Sequence, residues 1–103
     1  MANWIRVARA SECPPGGALE AVALDRVLAI FNVEGVLCVL DGVCPHQGGP
    51  LASGRREGCI VTCPWHGWQF DVRTGAHLLS KSVVQPSFEV RVEGDWIEVD
   101  LGA

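Results

Sequence analysis

Long apolar runs are missing from this chain. In 103 residues no uninterrupted apolar stretch, Val36 to Leu40 being among the longest, approaches a membrane span. The segment from Met1 to Ala10 lacks the apolar stretch of a secretory signal. The expectation is a cytoplasmic protein with no membrane partner. A basic stripe is also missing. Arg55-Arg56 is the only basic doublet, the net charge is −4 and the pI is near 5.2, which argues against a nucleic-acid partner. A mildly acidic chain is more readily steered to a basic patch on another protein. An even cysteine count is missing too. Five cysteines cannot complete a disulfide framework, and in a reducing compartment clustered Cys and His suggest metal first.

What is there is ordinary for a globular domain: 49% apolar and 19% charged residues exclude a disordered chain. The length suits one domain, residues 1–103, without repeats or linkers. No helix longer than a turn or two is expected. Short apolar runs alternate instead with Gly, Pro and Asp. Strands are expected at Asn3–Ala8, Leu19–Leu24, Val27–Val33, Val36–Leu40, Cys59–Thr62, Gln69–Val72, Phe88–Val92 and Trp96–Val99. Pro14 to Gly17 marks a turn, and Glu34-Gly35 is good hairpin chemistry between β-branched runs. Phe88, Val90 and Val92 share one face, the period of two that marks a half-buried antiparallel strand. The stretch from about 43 to 82 differs. It is rich in Gly, Pro, Cys and His, and reads as an insertion whose shape a cofactor must fix.

Two motifs carry the chemistry: Cys44-Pro45-His46 and Cys63-Pro64-Trp65-His66. Thiolate and imidazole are ligands for zinc or iron–sulfur centres. Residues two apart in an extended loop project to one side, so a Cys-x-His pair presents sulfur and nitrogen together. A proline after each Cys stiffens the loop. Gly48, Gly49 and Gly67 let backbone approach an inorganic core. A structural Cys2His2 zinc site is the plainer alternative. Zinc fingers, however, favour two to four residues between Cys ligands and three to five between His ligands. The mixed order here suits an asymmetric two-metal centre.

Cys44-Pro45-His46-Gln47-Gly48-Gly49-Pro50-Leu51 followed by Cys63-Pro64-Trp65-His66-Gly67-Trp68-Gln69-Phe70-Asp71 resembles the Rieske signature, C-x-H, a gap near sixteen, then C-x-x-H. Asp71 to Gly75 is similar to the turn that follows the second motif in Rieske ferredoxins. Pro86 and two closing strands extend the resemblance over essentially the whole chain. It implies an all-β, Rieske-type fold of small antiparallel sheets, with a cluster-binding loop subdomain at about 43–82. It also implies one [2Fe–2S] cluster, with Cys44 and Cys63 on the buried iron and His46 and His66 on the outer one.

Two neutral imidazoles in place of two thiolates make the added electron easier to accept, and Rieske potentials span roughly −150 to +300 mV. High-potential members carry an extra Cys in each loop, joined as a disulfide; the matching positions here are Gly49 and Trp65. They also carry a Ser and a Tyr whose hydroxyls reach sulfur; the matching positions here are Trp68 and Phe70. A hydrogen bond to a charged group is worth about 1.5–3 kcal/mol, or roughly 65–130 mV for one electron. The resemblance therefore points to the low-potential type.

The other candidates have plainer duties. Cys38 and Cys59 read as packing residues, and Cys13, beside Pro14, as exposed. His77 reads as a surface or hydrogen-bonding residue. Trp65 and Trp68 shield the core or cluster, with docking as a second role. Arg55-Arg56 reads as a solvated turn.

The family resemblance implies a one-electron carrier, not an enzyme in itself. It would take electrons from a flavin-containing, NAD(P)H-dependent reductase and pass them to a terminal oxygenase such as an aromatic-ring dioxygenase, as a monomer in isolation. A mononuclear iron site needs two further His and a carboxylate, and only His77 remains. No G-x-G-x-x-G loop is present for a nucleotide. The alternative is a Rieske-like small subunit of a larger reductase, such as assimilatory nitrite reductase.

Overall fold

Two tight turns fold the middle of the chain into a meander. Leu24 (φ 51°) and Asp25 (φ 62°) join β2 (Ala18–Ala23) to β3 (Arg26–Val33), and Glu34 (φ 52°) and Gly35 (φ 94°) join β3 to β4 (Val36–Asp41). Consecutive positive φ angles match the right-handed twist of the flanking strands. Asn32 assists the second turn, its Oδ1 accepting the Gly35 N–H at 2.7 Å. The computed structural model describes residues 3–44, 48–65, 67–80 and 82–102.

The remaining strands are β1 (Trp4–Arg9), β5 (Arg55–Glu57), β6 (Ile60–Thr62), β7 (Gln69–Asp71), β8 (Ser87–Glu93) and β9 (Trp96–Asp100). All pairings are antiparallel. A six-stranded sheet runs β1-β9-β8-β4-β3-β2, and a three-stranded sheet runs β5-β6-β7. The small sheet falls between β4 and β8 in sequence. The fold is all-β.

β3 divides the interior. Leu28, Ala29, Ile30 and Phe31 are each fully buried. Alternation sends Leu28 and Ile30 to one side and Ala29 and Phe31 to the other. Leu28 and Ile30 join Val39, Ile97 and Val99 in a core toward β1 and β9. Ala29 and Phe31 join Leu40, Leu51, Val61, Phe70 and Val72 in a second core, which also holds Cys44 and Cys63. A fully buried aliphatic or aromatic side chain contributes about 1.5–3 kcal/mol, so the second core anchors the roots of both motifs.

Three expectations need correction. Arg55–Glu57 is a strand, not a turn. Arg55 and Glu57 pair at 2.8 Å on its exposed side, while the Arg56 guanidinium donates to the carbonyls of Gly58 (2.5 Å) and Asn32 (3.5 Å). Cys13 is buried, not exposed. The 3-10 turn Ala10–Glu12 delivers it inward, and Asn32 Nδ2 donates to its carbonyl at 2.9 Å. Val92 is 48% exposed although Phe88 and Val90 on the same face are half-buried. β4 pairs with β8 only at Ser87 and Phe88, so Val92 lies on a stretch of β8 that lacks this neighbour.

Candidate metal centre

Both cysteines open loops with the same backbone closure. The Cys44 N–H donates to the Gly49 carbonyl at 2.9 Å, and the Gly48 N–H returns to the Cys44 carbonyl at 2.8 Å. The Cys63 N–H donates to the Trp68 carbonyl at 2.7 Å, and the Gly67 N–H returns to the Cys63 carbonyl at 3.2 Å. Gly48 (φ 77°) and Gly67 (φ 76°) occupy the left-handed region at equivalent steps, where a side chain would be strained. Each hairpin closes around one motif, and the glycines that follow the motifs are what allow the closure.

The two loops meet at the sulfurs. Cys44 and Cys63 are 1% and 2% exposed, and the Cys44 side chain lies close enough to act on the Cys63 thiol. Burial pushes the Cys63 thiol up. The Trp65 backbone N–H partly offsets this, while the Cys44 side chain pushes the same way as burial. A bound metal reverses that balance, since its positive charge deprotonates a coordinating thiol. A Cβ added at Gly49 would stand 2.7 Å from Cys63 Sγ and 3.0 Å from Trp65 Cγ. Gly49 therefore packs closely against Trp65, and these are the two positions that match the extra cysteines of high-potential Rieske members in sequence.

The two loops share a buttress that sequence reasoning missed. Gln85 is 2% exposed. Its Nε2 donates to the carbonyls of Asp41 (2.6 Å) and Val43 (2.7 Å), at the root of the first loop. Its backbone N–H donates to the Gly75 carbonyl at 2.7 Å, in the turn after the second. A Cβ at Gly75 would collide with the Gln85 carbonyl. The only signal in the sequence is a lone polar residue between Val84 and Pro86. In the Gly75 turn itself, the Asp71 carboxylate accepts the Arg73 N–H (2.9 Å), Nε (3.1 Å) and guanidinium (2.8 Å). These bonds hold Asp71 below the usual carboxylate range.

The remaining candidates fall as follows. Cys38 is buried and Cys59 half-buried, both packed in the core beneath the loops. His77 makes hydrogen bonds, its Nδ1 accepting the N–H groups of Leu79 (3.0 Å) and Ser80 (3.1 Å). Trp65 is half exposed, Trp68 is half-buried and Phe70 fully buried. His46 and His66 lie outside the described residues. Among the described residues no three metal-binding side chains converge. Two adjacent buried thiols, and a glycine approach that no Cβ tolerates, fit the sulfur half of a [2Fe–2S] site.

The comparisons agree with this chemistry. The Rieske [2Fe-2S] domain profile matches residues 3–95. The ferredoxin component of the naphthalene 1,2-dioxygenase system of Pseudomonas aeruginosa is 31% identical over 100 residues, 96% of each chain. The Sphingomonas yanoikuyae B1 ferredoxin structure superposes with a TM-score of 0.85 at 29% identity, covering 95% of this chain and 98% of that one. A chain from the complex of reduced oxygenase and oxidised ferredoxin in carbazole 1,9a-dioxygenase superposes with a TM-score of 0.84 at 29% identity, covering 94% and 92%. With two thiols converging on paired glycine-closed loops, and a match over nearly its full length, this chain belongs to the Rieske [2Fe-2S] domain family, whose members hold one such cluster.

Proposed function

We propose that this protein is a Rieske-type ferredoxin, the electron-carrying component of a multicomponent oxygenase system rather than an enzyme itself. In this reading Cys44 and Cys63 hold one iron of the cluster and His46 and His66 the other, within a single domain spanning 1–103 and a cluster-binding part at about 43–82. The bound [2Fe–2S] cluster supplies one reversible electron. The observation that carries the reading is the match to a dioxygenase-system ferredoxin over 96% of both chains. His77 adds to it: the one histidine beyond the two motifs is engaged by the Leu79 and Ser80 amides.

The chain's own residues bind, shield and present the centre. Residues 42–54 and 63–70 carry no Asp, Glu, Lys or Arg, so the acidic net charge lies elsewhere. Trp65, 50% exposed, and Leu79, 90% exposed, offer apolar contact near this end. Such contacts suit the small, transient interfaces of redox partners. The partners are a flavin-containing NAD(P)H-dependent reductase upstream and a terminal oxygenase downstream. The protein acts as a monomer in the cytoplasm. Gly49 and Trp65 in place of a disulfide, and Phe70 in place of a hydroxyl donor, put it in the low-potential class.

The test is reconstitution. Purified protein mixed with NADH, a ferredoxin reductase and an aromatic-ring dioxygenase should support product formation in proportion to its concentration. It should give a voltammetric potential in the lower part of the Rieske range. A single stoichiometric large subunit recovered with the protein, and no transfer to an oxygenase, would favour the permanent-subunit alternative. A potential near the top of the range would refute the low-potential assignment.

A further inference from the structure

His77 lies outside both motifs but touches the second one through its neighbours. It forms an isolated bridge with Phe70, and its backbone N–H donates to the Val83 carbonyl at 3.2 Å. The Leu78 N–H donates to the Gln69 carbonyl at 3.1 Å, so the 77–80 turn lies along β7. The imidazole and the Trp68 ring are near-perpendicular, with centroids 4.7 Å apart and planes at 83°. It meets Phe70 similarly, at 5.2 Å and 88°. Trp68 in turn supplies the carbonyl that closes the loop on the Cys63 N–H.

The hydrogen bonds fix the tautomer. Nδ1 accepts two backbone N–H groups, so it carries no proton. The ring proton is therefore on Nε2. That nitrogen is buried and finds no nitrogen or oxygen acceptor among the described residues. Among the described residues Trp68 and Phe70 are its ring neighbours, and an aromatic face is a weak acceptor for N–H.

We propose that His77 is a positioning residue for the cluster: its Nδ1 caps the 77–80 turn while its ring, packed near-perpendicular against Trp68 and Phe70, holds Trp68 and thereby the second loop. The inference rests on the ferredoxin reading above. It assigns no ligand role to His77. Two substitutions separate its two arms. Asn has an oxygen at the same bond distance from Cα as Nδ1 and accepts N–H groups two and three residues ahead, so His77→Asn keeps the cap and removes the ring. His77→Phe keeps a ring and removes the cap.

The experiment compares wild type, H77N and H77F in the cluster-loaded protein. In H77N, iron should be released about 10-fold faster or more, the range seen when groups supporting metal ligands are lost. The reduction potential and the EPR g-values of H77N should also shift. H77F should keep the wild-type potential and g-values while the Leu79 and Ser80 amides lose hydrogen-exchange protection. Long-range 1H–15N NMR of the wild type should show an Nε2-protonated His77. An H77N protein with wild-type potential, g-values and iron-release rate overturns the inference, as does an Nδ1-protonated His77. A wild-type protein that binds no iron would instead sink the ferredoxin reading, while the NMR result still judges the His77 geometry.

Discussion

At the β1–β9 end of the molecule Glu98 is 6% exposed, yet it accepts from Arg91 Nε at 2.8 Å and from Arg6 Nε at 3.3 Å. Arg6 and Arg9 lie over the Trp96 ring and Arg91 over Trp4. At the loop end, residues 42–54 and 63–70 have no such charges. There the chain is held by glycine-permitted backbone hydrogen bonds, one buried glutamine amide and two facing thiols. The sheet end satisfies its own polar groups and packs its own core. The loop end brings two thiols together on glycine-closed loops. On the proposed reading, one end folds on local and packing energy, and the other would gain its final order with the cluster.

The sharpest way to break this contrast is to remove a thiol. Cys44→Ser and Cys63→Ser should each abolish iron and labile sulfide while the far-UV circular dichroism of the sheet end persists. Iron analysis and the dichroism spectrum together check it; loss of all strand signal would mean the ends are not separable. Gly49→Ala comes next. The added methyl would stand 2.7 Å from Cys63 Sγ, so cluster content should fall severely. Gly58→Ala, with φ 59° but open space around it, should cost only about 1 kcal/mol of thermal stability and leave iron untouched.

Gln85→Leu tests the buttress that the two loops share. It strips donors from the Asp41 and Val43 carbonyls, at about 1–3 kcal/mol for each left buried and unpaired. A lowered melting temperature with faster cluster loss is the expected result. Acid should act at both ends more weakly. Arg73 holds Asp71 below its usual range, and Arg91 and then Arg6 do the same for Glu98. A depressed folded value means the pairs contribute fully above the ordinary carboxylate pKa, near ~4, and fade as pH falls through the lower folded values. Asp71→Asn should flatten the acid limb of the stability curve by less than about 1 kcal/mol, because Arg73 is largely solvated. The smallest effect belongs to the β2–β3 turn. Leu24→Asn places a residue suited to φ 51° and should stabilise by a few tenths to about 1 kcal/mol in denaturant titration.

The contrast also governs what could be read from sequence. The sheet end was legible because period-two alternation and Glu34-Gly35 turn chemistry are local signals; strands were placed to within a residue or two. The family of the cluster loops was legible because Cys and His at fixed spacing are rare by chance. β5 was not, since Arg55-Arg56-Glu57 carries no apolar alternation and is held by pairing with β6. The burial of Cys13 was not legible either. It depends on Asn32, distant in sequence, reaching its carbonyl. Gln85 was invisible for the same reason: its partners Asp41 and Val43 lie across the fold.

The central claim is that imidazole from His46 and His66 shares one centre with the sulfurs of Cys44 and Cys63. EPR with nitrogen-resolved ENDOR on the reduced, selectively 15N-histidine-labelled protein reads that arrangement directly. Coupling to two histidine nitrogens, with two irons and two labile sulfides per chain, is the predicted result. A spectrum without histidine coupling, or colourless protein carrying one zinc, would contradict it.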